Sequence, residues 1–83
     1  MIEDIREILQ QHARLGVDAN SLSPDSDLYD AGLTSHATVN LMLALEDRFQ
    51  VEFPDELMDR GSFASISSIR SAIEQIRSRA ISA

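Results

Sequence analysis

Apolar residues recur with helical period in three stretches of the chain, separated by residues that favour turns. In residues 2–15 they fall at Ile2, Ile5, Ile8, Leu9, Ala13 and Leu15, with charges between them. This predicts a first helix over 2–15, stopped by Gly16. Residues 16–34 lose the period. Pro24 and Gly32 punctuate them, and Leu22, Leu28 and Leu33 are spaced as anchors that pin a long loop to a core. Loops of this length in small domains are often functional or packed by their own side chains. Residues 35–50, SHATVNLMLALEDRFQ, give a second strong helix. It ends at VEFP because the residue before a proline is disfavoured in helical geometry. Pro54 can open a short third helix over 55–60, closed by Gly61. Ser65, Ser67 or Ser68 can cap a fourth over 66–79, running through Ile69, Ala72, Ile73 and Ile76. The final RAISA is expected to fray. VEF is too short for a strand, so the chain reads as one all-α domain over 1–83, with three main helices, one short one and an aliphatic core.

The second helix carries more than a core face. Thr38, Leu41, Met42, Leu45 and Phe49 form the stripe expected to face inward. Val39 and Leu43 lie off its centre, near His36, Asn40 and Asp47, with Glu46 close to Val39. Two readings stay open here. One is a docking strip of modest apolar character edged by acid. The other is a wide buried stripe in a crowded bundle. Ser35 stands where this helix begins. A hydroxyl there lies near unpaired backbone N–H groups, and the positive end of the helix dipole favours a phosphodiester on that oxygen. A serine at a helix start also serves as a plain N-cap.

Charge narrows the partners. The chain carries 14 acids against 7 basic residues, for a net charge of −7, and every base is Arg. Residues 18–59 hold ten of the acids and one base, Arg48. Such a centre repels nucleic-acid phosphates and anionic membranes and steers toward basic protein surfaces. There is no Cys, which excludes disulfides, thiolate metal sites and a cysteine nucleophile. The opening MIEDIREIL has early acids and no unbroken apolar run, unlike a signal peptide, and no stretch has the length of a membrane span. A soluble cytoplasmic protein is expected. His12 and His36 are far apart and match no metal-ligand spacing. His12 falls on the apolar side of the first helix and is expected to be half-buried. No phosphate loop, HExxH or GxSxG is present. His36 adjoins Ser35 on the helix, and such neighbours do not face each other, so it is poorly placed to activate the serine. No catalytic residue is assigned, and an autonomous enzyme is not expected.

The stretch DLYDAGLTSHATVNLMLALEDRF, residues 27–49, resembles the acyl carrier protein family, whose usual text is DSL followed by a helix of the form xxVxLxxxLExxF. Ser35 matches the modified serine. Val39, Leu41, Leu45, Glu46 and Phe49 match the helix without a gap, and EFPDE, residues 52–56, matches the acidic, proline-started third helix. The resemblance extends over about residues 2–77. It implies a four-helix acyl-carrier-like bundle with a 4'-phosphopantetheine arm, taken from coenzyme A, on Ser35. Cargo would be held as a thioester on the arm's thiol. The resemblance further implies that Thr34 and His36 shape the contact with a phosphopantetheinyl transferase. Val39, Asn40, Leu43, Glu46 and Asp47 would meet acyl- or aminoacyl-loading ligases or synthases through basic docking surfaces. A monomer is expected. Thr34 and His36 replace the family's Asp and Leu on either side of the serine, which resembles small bacterial aminoacyl carrier proteins loaded by dedicated adenylating ligases. The competing reading is an unmodified helical interaction domain that uses the acidic face of the second helix, with Ser35 only a cap.

Overall fold

The computed structural model describes residues 1–82, with side chains through residue 79. Among the described residues there are three α-helices, α1 (Ile2–His12), α2 (Ser35–Phe49) and α3 (Ile66–Ser82), and no strand. Single 3-10 turns lie at Ala19–Ser21, Asp55–Leu57 and Gly61–Phe63. Helix α1 packs against both α2 and α3. Its Ile5, Ile8 and Leu9 meet Ala37, Leu41 and Leu45 of α2 and Ile66, Ile69, Ala72 and Ile73 of α3 in one buried aliphatic cluster. Burying branched aliphatic side chains supplies most of the stability of so small a domain. Arg48 of α2 adds a surface clamp to α1, at 2.8 Å from Asp4 and 3.4 Å from Glu7. The Glu7 and Asp4 carboxylates raise the Arg48 pKa further above its ordinary value.

Helix α1 is shorter than its pattern predicts. It ends at His12, with Ala13 as C-cap, and Arg14 takes a left-handed backbone with φ of 50°. Ala13 therefore occupies the core position, and His12 is exposed rather than half-buried. Gly16 does not stop the helix. Its N–H donates to Ala31 O (3.1 Å), and it lies against Gly32, whose φ of 118° no other residue adopts readily. A Cβ on Gly32 would also sit 3.1 Å from Gly16 N.

The long loop is fastened along its length. Leu28 and Leu33 are buried, as expected of anchors, and Leu22 is half-buried. Leu28 N–H donates to Ala64 O (2.8 Å) and Ser67 N–H to Pro24 O (2.9 Å), tying the loop to the start of α3. The Arg6 guanidinium of α1 donates to Ala19 O and Leu22 O. Asp27 Oδ1 accepts from Tyr29 N–H (2.9 Å), closing the turn that leads to α2.

The expected short third helix over 55–60 is instead a pair of 3-10 turns, and Gly61 opens the second rather than closing a helix. Two aromatic anchors hold this segment. Phe53 and Phe63 are buried with ring centroids 5.4 Å apart. Ser65 caps the last helix, its Oγ accepting from Ser68 N–H (3.0 Å). Helix α3 continues through Ser82, three residues beyond the expected end and through most of RAISA; Ala83 lies outside the described residues.

Candidate functional site

Two neighbouring hydroxyls stand at the start of α2, and the backbone separates their roles. Thr34 is the N-cap. Its backbone is extended, and its Oγ1 accepts from Ala37 N–H at 3.0 Å. Ser35 is the first helical residue, exposed, and its hydroxyl has no hydrogen-bond partner among the described residues. The structural work of the helix start is thus done by Thr34, and Ser35 Oγ is left free. The backbone N–H groups of Ser35 and His36 also have no acceptor among the described residues, as expected for a first turn. A phosphodiester on Ser35 Oγ would meet these N–H groups and the positive end of the α2 dipole. The residues present fit that group.

A shallow cleft of about 310 Å3 opens beside Ser35. Thr38, Val39 and Met42 of α2 form one wall, and Met58, Asp59, Arg60 and Phe63 form the other. The second wall has no counterpart in the sequence reading, because residues 58–63 show no period and their approach to Ser35 depends on the Phe53–Phe63 anchor. The Arg60 guanidinium lies over the Tyr29 ring, 3.8 Å from its centroid, while Tyr29 Oη donates to Arg60 O (3.0 Å). Asp59 accepts from Ser62 N–H (2.8 Å), which holds its carboxyl below the ordinary range.

The rest of α2 decides between the two readings of its outer face. Leu41 and Leu45 are fully buried, with Ala37, while Thr38, Met42 and Phe49 flank them half-buried. Val39 and Leu43 are each 54% exposed, so they do not belong to a wide core stripe. His36, Asn40 and Asp47 are exposed with them. Glu46 behaves differently. It is half-buried, and its Oε2 accepts from Phe53 N–H at 2.8 Å, fastening the segment after α2 back onto the helix.

A family model described as the phosphopantetheine attachment site matches residues 3–75. The chain belongs to this family of carrier proteins, whose cofactor is 4'-phosphopantetheine. It is 46% identical over 72 residues to the aminoacyl carrier protein of Agrobacterium fabrum, covering 87% of each chain. Its fold matches the crystal structure of an engineered Bradyrhizobium japonicum glycine:[carrier protein] ligase complexed with carrier protein from Agrobacterium tumefaciens and AMP. The TM-score is 0.87 at 44% identity, over 89% of this chain and 99% of the matching one. It also matches the solution structure of a holo acyl carrier protein from Nitrosomonas europaea, with a TM-score of 0.81 at 29% identity, over 93% and 95% of the two chains. The expected all-α carrier fold and the carrier function are borne out. Among the described residues, no helix is long and apolar enough to cross a membrane, and no group of His, Cys, Asp or Glu is placed to hold a metal ion.

Proposed function

We propose that Ser35 carries the phosphopantetheine arm and that the cargo is an amino acid supplied by an ATP-dependent ligase. The observation that carries this reading is the free, exposed Ser35 hydroxyl beside a Thr34 that already caps the helix. The bound arm supplies the thiol that this cysteine-free chain lacks. The aminoacyl cargo is supported by the Agrobacterium relative, an aminoacyl carrier protein, and by the related carrier found with a glycine:[carrier protein] ligase. The chain's own part is to present one oxygen, not to catalyse. A transferase supplies the base and Mg²⁺, and Thr34 and His36 flank the oxygen it must approach. The protein acts as a cytoplasmic monomer. The unmodified interaction domain needs Ser35 for capping, and Thr34 removes that need.

The test is an intact mass after incubation with coenzyme A, Mg²⁺ and a broad-specificity phosphopantetheinyl transferase. A gain of one phosphopantetheine, mapped to Ser35, is expected. No gain with this enzyme or with the host's own transferase overturns the reading.

Val39, Asn40, Leu43 and Asp47 form the docking strip for the loading enzyme, with Glu46 beneath it. The two acids then respond differently to charge reversal. Asp47→Arg is expected to lower loading several-fold, most clearly at low salt, with an unchanged melting temperature. Glu46→Arg breaks the bond to Phe53 N–H and is expected to cost about 1.5–3 kcal/mol of stability. Thermal melts beside loading rates check both. Equal melting of the two variants would refute the structural role of Glu46.

A further inference from the structure

Six of the seven arginines are engaged within the chain. Arg6 donates to Ala19 O and Leu22 O. Arg48, Arg70 and Arg79 pair with carboxylates, Arg48 with Asp4 and Glu7, Arg70 with Glu74 and Arg79 with Glu56. Arg60 and Arg77 lie over the Tyr29 and Phe49 rings. Arg14 alone has no partner among the described residues. In a chain with 14 acids, one unpaired exposed arginine is a departure from the pattern.

Its backbone departs as well. Arg14 follows the C-cap of α1 with φ of 50°, where glycine or asparagine is at ease and most side chains are strained. Among the described residues, Gln50 is the other non-glycine residue with positive φ, and its side chain has a local use, donating to Asp47 O (2.6 Å). The Arg14 side chain makes no such bond. The left-handed turn ends α1, so the backbone conformation serves the fold while the Arg14 side chain is left out of it.

Arg14 stands beside the exposed strip of α2. With Gln11 and His12 it forms one wall of a cleft of about 410 Å3, and Asn40, Leu43 and Ala44 form the other. Among the described residues, no carboxylate lines this cleft. Asn40, Leu43 and Ala44 are five to nine residues along the helix from Ser35, roughly 7–14 Å at the rise of an α-helix, and Ser35 does not line this cleft. The strip is therefore not uniformly acidic at its border. It has an anionic end at Asp47 and a cationic edge at Arg14.

We infer that Arg14 is a specificity-determining contact for the loading ligase, which presents a carboxylate to it beside an apolar side chain seated on Leu43. The inference rests on the ligase reading of the proposed function. A guanidinium forks onto a carboxylate through two parallel hydrogen bonds, fixing orientation as well as attraction. The opposite signs at the two borders of one strip set the direction in which the carrier docks, and with it where Ser35 points.

The test uses holo protein, the engineered Bradyrhizobium glycine:[carrier protein] ligase, glycine and ATP. Arg14→Gln, Arg14→Glu, Arg14→Lys and Arg14→Gly are compared with wild type for arm attachment, glycine loading and melting temperature. All variants are expected to take the arm. Arg14→Gln is expected to lower kcat/KM for loading about tenfold, chiefly through KM, and Arg14→Glu to lower it further. Arg14→Lys keeps the charge without the fork and is expected to fall between wild type and Arg14→Gln. Arg14→Gly is expected to melt no lower than wild type, since it relieves the left-handed strain, and yet to load as poorly as Arg14→Gln. A purely structural role for Arg14 moves melting and loading together and overturns the inference. Wild-type loading rates in Arg14→Gln also overturn it. Attachment of the arm without loading of the wild type removes the ligase reading and this inference with it. Failure of attachment removes the carrier site at Ser35 itself.

Discussion

Ser35→Ala is expected to abolish arm attachment and all loading while leaving the melting temperature unchanged or slightly raised; Thr34→Ala is expected to lower stability and keep the arm. This opposition between adjacent residues follows from the start of α2. The N-cap bond runs from Ala37 N–H to Thr34 Oγ1 at 3.0 Å, and its loss costs about 1 kcal/mol. In a domain of this size, that moves the melting temperature by about 4–8 °C. Ser35 makes no such bond and sits in the first helical turn, where alanine is at least as good a helix former. Thermal denaturation with intact mass on both variants separates the roles. A fall in melting temperature for Ser35→Ala equal to that for Thr34→Ala would restore the reading of Ser35 as a cap. Attachment surviving in Ser35→Ala would move the arm to another residue.

A large stability effect is expected at Leu45. It is fully buried in the cluster shared by α1, α2 and α3. Leu45→Ala removes its transfer energy and leaves a cavity, at a combined cost of about 2–5 kcal/mol. Domains of this kind have about 5–15 kcal/mol in total, so the variant loses a large part of its margin. Leu43→Ala, two residues earlier on the same helix, removes the same atoms from a side chain that is 54% exposed. It is expected to change stability by no more than about 0.5 kcal/mol. Urea unfolding of the pair measures the contrast. Loading is expected to reverse the order of interest, because on the proposed docking strip folded Leu43→Ala is the variant that would lose partner contact. Similar unfolding midpoints for the two would contradict the inward and outward faces assigned to α2.

The fold was most legible where periodicity and burial coincide. The expected 35–50 helix is present as Ser35–Phe49, and Leu41 and Leu45 lie at the centre of its predicted stripe. The end of α1 was not legible, since Leu15 continues the period and nothing in the text announces that Arg14 turns left-handed. That error carried His12 to the wrong side. The third helix was misjudged because Pro54 and Gly61 mark its limits without fixing what lies between, and the Phe53–Phe63 contact decides it from a distance. At the site, the sequence offers Thr34 and Ser35 as neighbouring hydroxyls and does not say which one caps. Only the backbone angles do. The bond from Phe53 N–H to Glu46 joins residues seven apart across the turn that ends α2, so helical periodicity does not pair them and the sequence assigns Glu46 to the outer strip alone. The wall formed by Met58, Asp59 and Arg60 beside Ser35 is likewise a product of tertiary folding.

The fastened loop has a consequence for how far cargo can travel. Residues 16–34 are held by Leu28 N–H to Ala64 O, by Ser67 N–H to Pro24 O, by Arg6 on two carbonyls and by the close approach of Gly16 and Gly32. Opening such a loop means breaking contacts of the core itself, so the bonded amides of Leu28 and Leu33 are expected to exchange on the timescale of global unfolding rather than of loop motion. Ser35 is then a fixed mooring. With the arm on Ser35 as proposed, the radius swept by its cargo would be set by the arm's own rotatable bonds, and an enzyme that needs the cargo deeper would have to draw the whole domain closer.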